Sequence, residues 1–227
     1  MKRLFLGIIM LLMMSFAYAN DIYVTQSGAT LDLDITQDGQ DNKVGNSTTS
    51  SSVIGATSTI DIDQVGNTNI LTFDVNGATF TGTFSTTGNS NNIDFNCDSA
   101  GTVSSCATAT ASIVWVGSSN DIDIDIGESA DAANATVTIT GASGSDSNVV
   151  AATIDGTSAI LTLSVNGDTN NYLIDINNNG DVNGHTLIHT HVGSIADVDI
   201  TQSGLFDNLI NLTTAGDNLD IDIMQVD

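Results

Sequence analysis

Carboxylates in alternation are the first residues of this chain that could do chemistry. Asp32/Asp34, Asp61/Asp63, Asp121/Asp123/Asp125, Asp197/Asp199 and Asp220/Asp222 are spaced two apart, which sets each group on one face of a strand. Paired carboxylates act as acid and base in glycosidases when a cleft gives them different environments. They also suit calcium, a hard cation that takes oxygen ligands. Here they alternate with Ile, Leu and Val, so an acidic outer wall is the simpler expectation. Calcium remains possible, with Asp121, Asp123 and Asp125 the densest run. The Gly-Gly pairs of a calcium β-roll are absent.

His185, His189 and His191 share one strand parity with Leu187. Imidazoles two apart could hold a transition metal. Counting back from Gly193, however, puts His189 and His191 where other repeats carry Ile and Gln or Thr, so an inner polar ladder is the expected role. Trp115 falls at the same Gln position and reads as packed. Cys97 and Cys106 bracket a short polar loop. In an exported chain that spacing suggests a disulfide, with free thiols or an intermolecular bridge as alternatives, and two thiols are too few for a metal site. Nucleophile-elbow, phosphate-loop, dinucleotide and zinc-protease motifs are all missing, so no enzyme is expected.

The elements that carry these residues are short strands. Val198, Ile200 and Gln202 alternate with Asp and Thr, and Leu219, Ile221, Ile223 and Gln225 repeat the row about 23 residues later. Similar phrases occur at Val24–Gly28 with Gln26, at Leu31–Gly39 with Gln37, and at Ser58–Asn69 with Gln64. Between them runs a frame of Gly followed by Asn: Gly39/Asn42, Gly66/Asn69, Gly88/Asn91, Gly117/Asn120, Gly144/Asn148, Gly167/Asn170 and Gly204/Asn208. Gly accepts positive φ and Asn bonds its local backbone, so each pair is expected to end one strand and aim the next. Two apolar rows per period of about 23–29 residues predict an all-β fold. That fold is a flattened β-solenoid of about seven to eight rungs, each burying its face against the next. Residues 43–57, rich in Ser, Thr and Gly, read as a surface insertion.

The Gln37-Gly39-Asn42 and Gln64-Gly66-Asn69 turns resemble the curlin repeat, as do Ser58 six residues before Gln64 and the phrase Gln202-Gly204 with Asn208. Val75 and Thr48 stand where the family usually carries a second Gln. The resemblance implies an amyloid-like subunit of a curli-type extracellular fibre, a homopolymer serving biofilm matrix and adhesion. It also implies a related nucleator and a dedicated secretion pore as partners.

Met1–Ala19 has the charged start, apolar run and Ala-x-Ala site of a signal peptide, leaving 20–227 as the repeat domain and a secreted, cell-surface location. Its apolar run is shorter than the ~20 residues of a spanning helix, and membrane insertion is not expected. Among 27 acids and three basic residues, Lys2 and Arg3 fall in that leader, leaving Lys43 alone. Such charge excludes nucleic acid, whose phosphates need Lys and Arg, and disfavours anionic lipid. There is no Pro to interrupt a ladder or guard an edge. The final Gln225-Val226-Asp227, with no polar cap after it, suggests end-to-end stacking, with Gln37, Gln64, Gln202 and Gln225 forming the ladder. Two monomeric alternatives compete: a calcium-stabilised adhesin module, and an ice-binding solenoid displaying Thr136, Thr138 and Thr140. The second is the weaker, because the Thr runs stand at different distances from their turns.

Overall fold

Alternation of apolar and polar residues is what builds the architecture, and strands account for nearly all of it. The computed structural model describes residues 21–39, 41–46, 48–88, 90–97, 106–117, 119–127, 134–142, 144, 147–156, 158–177, 184–204 and 208–226. The expected signal peptide lies outside these residues. The strands are β1 (Asp21–Ile22), β2 (Thr25–Asp38), β3 (Lys43–Val44), β4 (Ser51–Val65), β5 (Thr68–Thr87), β6 (Ser90–Cys97), β7 (Thr108–Val116) and β8 (Asp121–Ile126). They continue as β9 (Asn134–Gly141), β10 (Val149–Asp155), β11 (Ala159–Asn166), β12 (Asn170–Asn177), β13 (Thr186–Val192), β14 (Ala196–Ser203), β15 (Leu209–Ala215) and β16 (Leu219–Val226).

All pairings between these strands are parallel and connect one turn of the chain to the next. The result is an all-β flattened solenoid of about seven turns. Its front wall is formed by residues 30–38, 57–65 and 79–87, then β7, β9, β11, β13 and β15. Its back wall is formed by the early parts of β2, β4 and β5, then β6, β8, β10, β12, β14 and β16. Three long strands, β2, β4 and β5, run from the back wall to the front around a stack of Gly28, Gly55 and Gly77. A Cβ on Gly77 would collide with the Gly55 carbonyl, so the close approach of these backbones requires glycine.

One face of each wall is turned inward, and the two inner rows make a single core running the length of the molecule. The front row stacks Ile35, Ile62, Phe84, Ile113, Ile139, Leu163, His189 and Leu212; the back row stacks Leu71, Ile93, Ile122, Val150, Tyr172, Val198 and Ile221. Phe80, Phe84 and Phe95 form an aromatic cluster between the walls, with centroids 5.0 Å apart for Phe80–Phe95 and 5.1 Å for Phe84–Phe95. The Phe80 ring fills the space where a Cβ on Gly82 would sit. Trp115 does the same over Gly141 in the next rung, leaving 2.6 Å to that Cβ position.

The expected insertion at 43–57 is shorter than the composition implies. Lys43–Val44 is strand, β4 begins at Ser51, and Val44, Ser51 and Val53 are buried. Ser51 Oγ accepts a hydrogen bond from the Val24 amide at 3.1 Å. Val44 and Val53 hold inward positions that the Ser-rich wording hides.

Candidate functional site: the internal ladders and the end rungs

The turn from front to back wall is built around one buried side chain per rung. Asn42, Asn69, Asn91, Asn120, Asn148 and Asn170 occupy the same position in successive turns, and all six are at most 4% exposed. The amides bond along the stack: Asn69 Nδ2 donates to Asn91 Oδ1 at 2.9 Å, and Asn91 to Asn120, Asn120 to Asn148 and Asn148 to Asn170 each at 2.8 Å. The same oxygens accept backbone amides, as Asn120 Oδ1 does from Asn91 N at 3.0 Å. An amide that both donates and accepts can repeat without end, which few other side chains can do.

The residue just before this position is left-handed in most turns: Asp41, Ser119, Ser147, Thr169, Ile195 and Asn218 have φ between 56° and 60°. Sequence inspection misses this feature, since no Gly marks it. The last two rungs depart further, with Ala196 and then Leu219 following Asn170 in the column.

That departure corrects the expected phasing of the C-terminal repeats. Gly204 and Asn208 do not belong to the Gly–Asn turn that contains Gly39, Gly66, Gly117 and Gly167. They lie at the opposite corner, where the back wall returns to the front, and the true turns run from Gly193 to Ala196 and from Gly216 to Leu219. Ile210 and Leu212 therefore belong to the front wall, and Gln202 and Gln225 to the back. Both corners follow strand, Gly, strand wording, so with Asn missing from 196 and 219 the phrase at 200–208 imitates a turn of the other kind.

The expected single glutamine ladder accordingly divides in two. On the front wall Gln64 Nε2 donates to Gln37 Oε1 at 2.8 Å, and the column continues through Thr86, Trp115, Gly141, Val165, His191 and Thr214. On the back wall Gln225 Nε2 donates to Gln202 Oε1 at 3.2 Å. This second column also contains Gln26, separated from Gln202 by Val53, Val75, Cys97, Ile126, Ile154 and Ile176. Cys97 is joined to Cys106 by a disulfide with a Cα–Cα distance of 5.9 Å, in the corner between β6 and β7. The Asp98–Ser105 loop they bracket is outside the described residues.

The histidines point inward, His189 and His191 from β13 and His185 from the residue before it, and all three are fully buried. His185 serves its corner as Asn does elsewhere: its Nδ1 accepts the Ala159 amide at 3.1 Å, and its own amide donates to Asn208 Oδ1 at 3.0 Å. Tyr172 Oη lies 2.9 Å from His191 Nδ1, and the Tyr172 ring stands edge-on to His189 with centroids 4.6 Å apart. Both ring nitrogens of His189 lack a hydrogen-bond partner. Burial pushes all three imidazoles below their ordinary range, His189 to about 4 with a smaller contribution from His191, and pushes the Tyr172 hydroxyl up. Neutral stacked rings are what this interior holds.

The carboxylates lie on the outer side of the back wall and of the first two front rungs. Asp94 stacks on Asp123, and both carboxyls are held above their usual range, first by partial burial and then by neighbouring Asp side chains. Asp121, Asp123 and Asp125 alternate along β8 with buried Ile122, Ile124 and Ile126. Among the described residues no three metal-ligating side chains converge on one point.

Comparison with known proteins finds no matching family model, no matching curated protein and no matching solved structure.

Proposed function

We propose that this chain is a structural subunit that stacks end to end with copies of itself into an extracellular curli-like fibre. The observation that supports this reading is the agreement of its two end rungs. Extending the internal register by one rung sets Ile221, Ile223 and Gln225 of one copy against Ile22, Val24 and Gln26 of the next. On the front wall, which has one strand fewer, Ile210, Leu212 and Thr214 share columns with Leu33, Ile35 and Gln37, and the same step leaves the width of one strand between them. Apolar meets apolar and amide meets amide at these three inward positions of the back wall, and the front-wall columns pair apolar with apolar and hydroxyl with amide. The end also has surface left to bury: Ile223, in the last inward row, is 48% exposed, whereas inward residues of the interior rungs are buried. Open parallel edges with a continuing inner row are templates for another strand. Repulsion between outer carboxylates opposes the joint, and salt or a divalent cation would relieve it.

Electron microscopy and fibre diffraction of the exported chain, with and without calcium, test the reading. Fibres with reflections near ~4.8 Å and ~10 Å are expected. Ile223→Lys should block elongation while leaving the monomer folded. A persistent monomer under all conditions, or fibres unaffected by Ile223→Lys, would overturn it.

A further inference from the structure

The outer face of the front wall carries a regular lattice of hydroxyl and methyl groups. Thr59, Thr81, Thr110 and Thr136 form one straight column across four successive rungs. Two residues along each strand, Thr83, Ser112, Thr138 and Thr162 form a second. A further two along, Thr140, Ser164, Thr190 and Thr213 form a third. The different distances from Thr runs to turns, which weaken an ice-binding reading in the sequence, do not survive. The chain from Gly141 to Val149 is longer than the equivalent stretch from Trp115 to Asp121, and the strands keep register: Thr136 pairs with Thr110 and Thr138 with Ser112.

Charge is partitioned between the walls. From residues 79–87 onward, no front-wall strand contains Asp, Glu, Lys or Arg, although the chain has 27 acids. Exposed positions on this face that are not hydroxylic include Val116, Ile160, Ile188 and Val192, each between 38% and 43% exposed. The aromatic side chains of these strands, Phe80, Phe84 and Trp115, are turned inward and buried.

We propose that this face binds the surface of crystalline ice. Its repeats are constant in two directions, roughly 4.8 Å from rung to rung and roughly 6.6 Å between alternate residues along a strand. They lie close to the spacings of water oxygens on faces of hexagonal ice. Threonine suits such a ligand because its hydroxyl hydrogen-bonds a lattice water while its methyl group orders the water beside it. Absence of charge matters equally, since an ionised side chain binds its own hydration shell in a different arrangement. A lattice without a pocket recognises a periodic surface and not a single small molecule. A polysaccharide surface would call for outward aromatic rings to stack on sugars, and on these strands they are inside. The inference is independent of fibre formation, since it concerns a side wall and not the ends.

The test is ice-crystal shaping, thermal hysteresis and recrystallisation inhibition by the exported full chain. Thr110→Tyr and Thr138→Tyr each place a bulky ring in the middle of the lattice at exposed positions, and Asp123→Tyr on the opposite wall serves as control; circular dichroism verifies folding of all three. Faceted crystals and a hysteresis gap are expected from the wild type and from Asp123→Tyr, with most of that activity lost in both Thr variants. No activity in the wild type overturns the inference, as does activity indifferent to the Thr variants or equally lost in Asp123→Tyr. Retention on chitin or cellulose without any effect on ice also overturns it and assigns the face to carbohydrate.

Discussion

Asn120 shows how much a single side chain can hold in a stacked fold. Its oxygen accepts two hydrogen bonds from Asn91, and its Nδ2 donates to Asn148 and to the Gly117 carbonyl at 2.8 Å each. Asn120→Ala would take the shared acceptor from the Asn91 backbone amide and Nδ2 and the donor from the Gly117 carbonyl, each at roughly 1–3 kcal/mol. A fall of several kcal/mol in unfolding free energy is expected in denaturant titration, well above that for an exposed Asn. Ile195 is the opposite case. A β-branched residue at φ 60° and 53% exposed gains little from packing and bears the strain of the left-handed region. Replacing it with Asn or Gly should stabilise the protein by about 1 kcal/mol, read as a rise in melting temperature.

At the scale of elements, acid should act on two regions of the stack in opposite directions, destabilising β13 and favouring β6 and β8. His189 in β13 is held down to about 4 in the fold against 6.5 ordinarily. The unfolded chain therefore takes the proton first, and stability fully present above pH 6.5 is lost as pH falls toward 4, by up to roughly 3 kcal/mol. Asp94 in β6 and Asp123 in β8 have raised values, so the fold binds their protons more readily and these rungs gain stability as the carboxylates neutralise. Hydrogen exchange compared at pH 7 and pH 5 should show β13 and its neighbour β15 losing protection while β6 and β8 keep it. Uniform change along the molecule would contradict this assignment. The pairing of Phe80 with Gly82, and of Trp115 with Gly141, belongs to this scale as well. In each case a large ring on the front wall occupies the room that a small residue leaves.

For the molecule as a whole, the solenoid was legible in the sequence because its rule is local. Alternation in runs such as Asp121–Gly127, with Gly and Asn between runs, is enough to specify strand, corner and inward face. Six of the seven Gly–Asn pairs mark real front-to-back turns. What escaped was phase: two corners of similar wording are told apart only by Asn, and once Ala196 and Leu219 replace it the last repeats read as shifted by half a turn. The Thr lattice escaped for a related reason. Distance to a turn measures alignment only if all connections have equal length, and the one from Gly141 to Val149 is longer than the others. Pairing across rungs is a long-range fact, and parity along a single strand does not report it.

The asparagine column stops at Asn170, and this gives the thread a direction. In a stack where each turn touches only its neighbours, stability is a sum of rung and interface contributions. The rungs after Asn170 lack the shared amide bond and contain the buried histidines. Pulled from its two ends in an optical trap, the molecule should not yield at a random place. Its C-terminal turns should pay out first, at low force and in steps of one rung, before the asparagine-linked turns give way together at higher force. Rewinding should start from the asparagine-linked turns and travel toward the C-terminus, as a zip closes from the end where its teeth already engage.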